Sequence, residues 1–125
     1  MPIRSKRVYE TYDPGDGKRY LVDRLWPRGL AKARLRIEAW LPDLGPSHDL
    51  RRWFGHDPSK WSGFKKRYFE ELSHKKELWA PVLSAATKGP DTLLFSARDP
   101  EHNQAVALSE FLRRRAGTAR KSAKK

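Results

Sequence analysis

The segment Thr92 to Ala97, TLLFSA, restricts the fold of this chain more than any other segment. It lacks the apolar–polar alternation of a half-exposed strand, so both of its faces have to be covered. Short continuous apolar runs of this kind are typical of central strands in parallel sheets. Segments with helical spacing separate this run from an earlier apolar stretch, Tyr20 to Val22. We therefore predict an α/β domain, a small and mostly parallel sheet flanked by helices in a Rossmann-like three-layer arrangement.

The length and composition of the chain exclude several classes of protein. A chain of 125 residues fits one compact domain with a hydrophobic core. The absence of cysteine excludes disulfides, a thiolate nucleophile and thiolate metal ligands. No apolar run approaches the roughly 20 residues that span a bilayer, and no secretory signal is visible. We expect a cytoplasmic protein that does not enter a membrane, while the number of subunits stays open.

The net charge of +12 is concentrated at the C-terminal end. From Arg113 onward seven residues are basic and none is acidic, and subtracting these seven charges leaves +5 for residues 1–112. We predict an α/β domain over residues 1–115 and a disordered basic tail over residues 116–125, because the tail has too few apolar groups to pack. The tail is either a solubilising appendage or a loose clamp on nucleic-acid phosphates.

Apolar periodicity and capping residues predict the other elements. Strands are expected over residues 3–9, 19–26 and 92–97, and helices over residues 30–44, 47–54, 57–72, 77–86 and 99–112. Ser47 is a good N-cap and Gly55 a good C′ residue for the short second helix. Trp40 and Trp61 fall on apolar helical stripes, so we expect both in the core.

Charged and aromatic residues follow the strand that contains Tyr20 to Val22, in the order D-R-L-W-P-R-G. Open α/β sheets usually hold ligands at such strand ends. Arg24 and Arg28 are therefore candidates for holding an anionic ligand. Asp23 is a candidate catalytic base, or a clamp that orients groups on the neighbouring loop. The alternative is a buried ion pair between Asp23 and one of these arginines.

A second group of polar residues follows the strand Thr92 to Ala97. Asp99 is an apt N-cap for the last helix, whose free backbone N–H groups and positive dipole end form a natural anion site. Arg98 adds a fork-shaped donor that matches phosphate or carboxylate, and His102 is a candidate for proton transfer. Asn103 is a candidate ligand contact. The alternative is an ordinary capped helix with a solvated His and Asn.

If the two strands are parallel neighbours, both groups meet at the same edge of the sheet, with Asp23 able to orient Arg98 or His102. Trp26 and Trp53 lie beside predicted loops and are candidates for stacking on a ligand, and His56 is a further ligand-binding candidate. The histidines lack compact metal-ligand spacing, so we predict no metal site. No nucleophile elbow, Walker-type loop or dinucleotide-binding loop is present, and no cofactor is identified.

Three segments, LVDRLWPRG, WFGHDPSKW and LLFSARDPEHNQAVALSEFL, closely resemble the YeaO-like branch of the uncharacterised family called domain of unknown function 488. The resemblance covers about Ile3 to Leu112. It implies a compact cytoplasmic α/β domain and supplies no activity. More distant members have a histidine after the last strand and often carry a cysteine just before it, where this chain has Glu101. Thiol chemistry in those relatives is therefore not carried over.

The resemblance also identifies characteristic family positions in this chain: Asp23, Arg24, Trp26, Pro27, Arg28, Gly29, Trp53, Phe54, Gly55, His56, Asp57, Arg98, Asp99, His102 and Asn103. From these residues we expect a small enzyme or ligand-binding domain that acts on a phosphorylated or otherwise anionic molecule, such as a nucleotide. The alternative is a nucleic-acid-binding protein that uses its basic surface and tail. Whether the protein is an enzyme stays open.

Overall fold

The computed structural model describes the backbone of residues 3–123 and the side chains of residues 3–116. Its centre is one sheet of four strands, β1 (Ile3–Arg7), β2 (Lys18–Leu21), β3 (Ala39–Trp40) and β4 (Asp91–Phe95). The spatial order is β1-β4-β2-β3, and every neighbouring pair is parallel. The predicted α/β class with a parallel sheet is confirmed.

Five α-helices accompany the sheet within the described residues: α1 (Lys32–Leu35), α2 (His48–Phe54), α3 (Trp61–Ser73), α4 (Lys76–Ala86) and α5 (Gln104–Ala123). Single turns of 3-10 helix lie at Pro14–Asp16, Pro42–Leu44 and Pro58–Lys60. None of the helices in this described part combines the length and the apolar character that a membrane crossing requires.

The central strand β4 separates two apolar clusters, as its unbroken apolar run predicts. All five of its residues are buried. Leu93 and Phe95 belong to the main core, which is closed by α2, α3, α4 and α5. Leu94 points to the opposite face and packs with Leu21 and Leu35 in a smaller cluster. The layer on this second face consists of the one-turn helix α1 and loops, so it is much thinner than the helical layer on the first.

The long helix predicted from Leu30 to Leu44 is wrong. The only α-helix in this range is α1, a turn of 3-10 helix follows at Pro42–Leu44, and Arg36 ends α1 in the left-handed conformation with φ 47°. The chain then extends and adds β3 to the sheet, where Leu41 N–H donates to the Leu21 carbonyl over 2.8 Å. Apolar spacing does not reveal this edge pairing. Trp40 consequently lies on an edge strand and is 40% exposed, so its predicted core position is also wrong.

The last helix starts later than Asp99 predicts. Helix α5 begins at Gln104, and the side chain of Asn103 accepts a hydrogen bond from Val106 N–H over 3.0 Å. Asp99 instead closes the preceding turn, because its Oδ1 accepts from the N–H groups of Glu101 and His102. Both residues are good capping types, and the sequence does not distinguish between them.

The short helix α2 has the predicted caps. The Ser47 side chain accepts from Leu50 N–H, and Gly55 ends the helix in the left-handed conformation with φ 54°. Trp61 is half-buried against the main core, on the side where its apolar stripe predicts it. The side chains of residues 117–125 lie outside the described part of the chain, so the disordered tail and its boundary stay predictions.

Asp91, at the start of β4, is a buried carboxylate with an unusual environment. It is fully buried, and neither carboxylate oxygen has a hydrogen-bond partner among the described residues. Burial raises the pKa of Asp91 to about 6, although the charge of Lys18 opposes the shift. The folded protein therefore binds this proton more tightly than the unfolded chain does.

We expect this carboxylate to lower stability as the pH rises from 3.8 through about 6. Asp91→Asn should be more stable than the wild type at about pH 8, and the difference should shrink as the pH falls to about 4. Urea unfolding at several pH values measures the effect, with Asp43→Asn, at an exposed position, as the control. A lower stability of Asp91→Asn at about pH 8 would contradict this reading of the buried carboxylate.

Candidate functional site

An open cleft of about 890 Å³ lies at the carboxyl end of the sheet, where β1, β2 and β4 end. Since β2 and β4 are parallel neighbours, the two predicted loops meet at one edge, as expected. Helices α2 and α3 contribute the remaining walls. Eight of the nine candidate residues line the cleft: Asp23, Arg24, Trp26, Arg28, His56, Arg98, His102 and Asn103. Trp53 does not line it.

Asp23 joins three segments at the base of the cleft. Its Oδ2 accepts from Ser96 N–H over 3.0 Å and from the Ser96 hydroxyl, and its Oδ1 accepts from the Gln104 side-chain amide. The carboxylate thus ties the end of β2 to the end of β4 and to the first turn of α5. Burial raises the pKa of Asp23, while the hydrogen bonds from Ser96 and Gln104 and the charge of Arg51 oppose the shift.

These contacts differ from two of the sequence-based interpretations of Asp23, while its role as a catalytic base stays a prediction. The carboxylate makes no hydrogen bond to Arg98 or His102, which it was expected to orient, and no ion pair with the neighbouring arginines. Arg24 donates instead to the carbonyls of Gly45 and Pro46, each over 3.2 Å. Its guanidinium therefore fastens the loop before α2 to the end of β2.

Three other guanidiniums of the cleft have no such partner. Arg28, Arg51 and Arg98 make no side-chain hydrogen bond or ion pair within the described residues. The Nε of Arg51 is buried and still lacks an acceptor. Five arginines and two histidines line the cleft, against the two carboxylates of Asp23 and Asp99, which are hydrogen-bonded to neighbouring protein groups. The described lining is therefore strongly cationic.

Sequence reasoning missed Arg51 as a site residue. It lies on α2 three positions before Phe54, and both residues line the cleft. Positions three apart share one face of a helix. The apolar residue Phe54 marks the inner face of α2, so it could have indicated that Arg51 lies on that face too. The next residue, Arg52, is exposed and does not line the cleft.

His102 is oriented by Asp99. Its Nδ1 lies 2.9 Å from Asp99 Oδ2, and because a carboxylate only accepts, Nδ1 carries the proton and Nε2 remains for a ligand. The indole of Trp61 meets the imidazole edge-on, with 5.3 Å between ring centroids. Hydrogen bonds from Glu101 N–H and from the His102 ring lower the pKa of Asp99.

Three of the backbone N–H groups near the start of the last helix, which were predicted to be free for an anion, already have acceptors within the protein. The N–H groups of Glu101 and His102 already donate to Asp99 Oδ1, and Val106 N–H donates to Asn103 Oδ1. Asn103 itself is buried, and its side-chain amide also donates to the Asp99 carbonyl. These three amides are therefore not free to hold an anion.

The two candidate stacking residues differ in their positions. Trp26 lines the cleft half-buried, donates from its indole N–H to the Leu30 carbonyl over 2.8 Å and meets the Trp40 ring edge-on. Trp53 packs elsewhere, with the Arg67 guanidinium 4.0 Å from its ring centroid. Among residues with described side chains, no three histidines or carboxylates converge as a metal cage.

His56 follows Gly55 at the rim of the cleft and has a positive φ of 55°. In this conformation the Cβ of a non-glycine residue lies too close to the backbone, which raises the energy of the folded state. Strain of this kind is concentrated at functional sites.

We expect Asp23→Ala to lower the free energy of unfolding by about 2 kcal/mol, because it leaves the half-buried donors of Ser96 and Gln104 without their acceptor. Urea denaturation measures the loss. Asp43→Ala removes an exposed carboxylate and serves as the control, with stability close to that of the wild type. If Asp23→Ala were as stable as this control, the hydrogen bonds of Asp23 with Ser96 and Gln104 would contribute nothing to stability.

We expect His56→Gly to raise the free energy of unfolding by about 1 kcal/mol, since glycine adopts the left-handed conformation without the steric cost. His56→Ala keeps the Cβ and should not gain stability. Thermal or urea unfolding of both variants separates backbone strain from loss of the imidazole. Equal stability of the two variants would argue against strain at this position.

Comparison with known proteins places the chain in an uncharacterised group. The model of the family described as the inactive DUF488-N3 subclade matches residues 2–125. The uncharacterized protein YeaO of Escherichia coli (strain K12) is 38% identical over 113 residues, which cover 90% of this chain and 98% of YeaO. The uncharacterized protein Rv3073c of Mycobacterium tuberculosis is 37% identical over 110 residues, covering 88% and 92% of the two chains.

No solved structure is significantly similar to this chain. The match over nearly the whole length, together with the identity to YeaO, confirms the resemblance seen in the three sequence segments. The chain belongs to the DUF488 family, in its YeaO-like branch.

Proposed function

We propose that this protein binds a phosphate-bearing small molecule in the cleft and does not convert it. The observation that carries the proposal is the set of three guanidiniums, those of Arg28, Arg51 and Arg98, that line one cleft without an acceptor among the described residues. Guanidinium forks match the oxygens of phosphate in geometry and in charge.

Arg51 gives the strongest support. A buried donor without an acceptor costs free energy, and a bound anion removes that cost. The carboxylate that lowers the local positive charge, Asp23, has its oxygens occupied by Ser96 and Gln104. Arg51 interacts with Asp23 through its charge but without a hydrogen bond, so the buried Nε–H of Arg51 remains available to a ligand from solution.

His102 acts in this proposal as a ligand contact. Asp99 fixes its ring through Nδ1, so that Nε2 is the nitrogen left to meet an oxygen of the ligand. In the imidazolium form Nε2 donates a hydrogen bond and adds positive charge. The sequence-based alternative is that His102 transfers a proton to or from a bound substrate.

Binding without conversion is supported by the residues present. The chain contains no cysteine, and Glu101 occupies the position at which more distant members often carry one. The matched family is described as an inactive subclade, which agrees with a cleft that keeps its charge and lacks a thiol nucleophile.

Isothermal titration calorimetry with inorganic pyrophosphate tests the proposal on two neighbouring residues of α2. We expect Arg51→Gln to weaken binding about tenfold, because it removes a charge-assisted donor from the cleft. Arg52→Gln changes the net charge equally but lies outside the cleft, and we expect its affinity to stay within about twofold of the wild type. Equal losses in both variants, or no binding by the wild type, would contradict the proposal.

The same titration separates the cleft from the nucleic-acid alternative. Replacement of the basic residues beyond position 116, Arg120, Lys121, Lys124 and Lys125, by glutamine should leave pyrophosphate binding unchanged apart from a small non-specific term. Loss of pyrophosphate binding in this variant would indicate that the tail, and not the cleft, holds the anion, and would contradict the cleft proposal.

A further inference from the structure

We infer that the ligand of the cleft is a nucleoside monophosphate, because exposed apolar and aromatic side chains flank its unpartnered guanidiniums. This inference rests on the proposed anion binding and specifies the rest of the ligand. A bare phosphate or a sugar phosphate would use the cations and leave the apolar part of the cleft in water.

The apolar part is unusually exposed. Among the described residues, the exposed large hydrophobics are Leu25 at 70%, Tyr9 at 48% and Trp40 at 40%. Single exposed apolar residues are common on protein surfaces and need no explanation. Here, however, the two most exposed ones both line the same cleft. An apolar ligand surface placed against them would remove their exposed area from water.

The cationic and apolar residues lie on loops that follow neighbouring strands. Tyr9 follows β1 and Leu25 follows β2, while β4, whose loop carries Arg98, lies between these strands in the sheet. The Tyr9 hydroxyl donates to the Arg28 carbonyl over 3.4 Å. The guanidinium of Arg7 lies 4.8 Å from the Tyr9 ring centroid. The exposed ring of Tyr9 therefore lies next to two of the arginines of the cleft.

The deeper lining is also aromatic. Phe54 and Phe64 contribute from α2 and α3, and half-buried Trp26 contributes from the loop after β2. The volume of about 890 Å³ lies within the range of pockets that enclose ligands larger than a phosphate ion. The cleft therefore has room for a ribose and a base beside the phosphate.

A flat ring system fits these walls better than a flexible aliphatic chain. Aromatic side chains and guanidinium planes both stack on nucleobases, and such stacking tolerates any base because each has a π face. The phosphate would then lie at Arg51 and Arg98, with the base toward Leu25, Tyr9 and Trp26.

Titration of the wild type with adenosine 5′-monophosphate, ribose 5-phosphate and adenosine tests the inference by calorimetry. We expect the nucleotide to bind about tenfold more tightly than ribose 5-phosphate, in line with the contribution of one stacked base. Adenosine should bind far more weakly than the nucleotide. Equal affinity for nucleotide and ribose 5-phosphate would overturn the inference and leave the anion proposal standing. Failure of both phosphorylated ligands, with pyrophosphate also failing, would overturn the anion proposal itself.

Substitution of Leu25 tests the apolar part alone. Because the side chain is 70% exposed, Leu25→Ser and Leu25→Phe should both fold like the wild type, which a thermal melt verifies. We expect Leu25→Ser to lower the affinity for the nucleotide about fivefold and to leave the affinity for ribose 5-phosphate unchanged. Leu25→Phe should keep the wild-type affinity for the nucleotide. Parallel losses for both ligands in Leu25→Ser, or no loss for either, would contradict a base-binding wall.

Discussion

The carboxylate of Asp23 is the contact on which the cleft depends. It leaves the end of β2 and accepts hydrogen bonds from Ser96, just after β4, and from Gln104, at the start of α5. A buried carboxylate needs such donors, because desolvation without them costs several kilocalories per mole. The parallel sheet brings the strand ends side by side, and this shared acceptor fixes the loops that follow them.

The distribution of hydrogen bonds divides the charged residues of this region into two groups. Arg24 donates to the carbonyls before α2, and Arg7 donates to the Ala97 carbonyl over 3.1 Å, so both hold loops in place. Asp99 accepts from the N–H groups of Glu101 and His102 in the turn before α5, so neither amide is free to bind an anion. The guanidiniums of Arg28, Arg51 and Arg98 have no hydrogen-bond acceptor within the described residues, and the proposed anion binding rests on them.

Several features of the fold and the site could be predicted from the sequence. The unbroken apolar run of β4 indicated a central parallel strand, and the position of charged residues directly after two strands indicated that they would meet at one edge of the sheet. Both inferences use local patterns and the general rule that ligands bind at the carboxyl ends of parallel strands.

Other features depend on distant contacts. The partners of Asp23 lie 73 and 81 positions away, so no local pattern identifies them. The segment after α1 keeps helical spacing but becomes β3, because hydrogen bonds to the edge of β2 replace those of a helix. Asp99 and Asn103 are equally good caps, and tertiary packing decides which of them starts α5.

Arginine side-chain NMR during a titration with pyrophosphate tests the surplus of free guanidiniums most directly. We expect the Nε–H signal of Arg51, which is buried without an acceptor, to shift as the anion binds. The Nε–H signals of Arg7 and Arg24 should remain in place, because both already donate to backbone carbonyls. An unchanged Arg51 signal, or equal shifts at all three arginines, would contradict a specific anion site in the cleft.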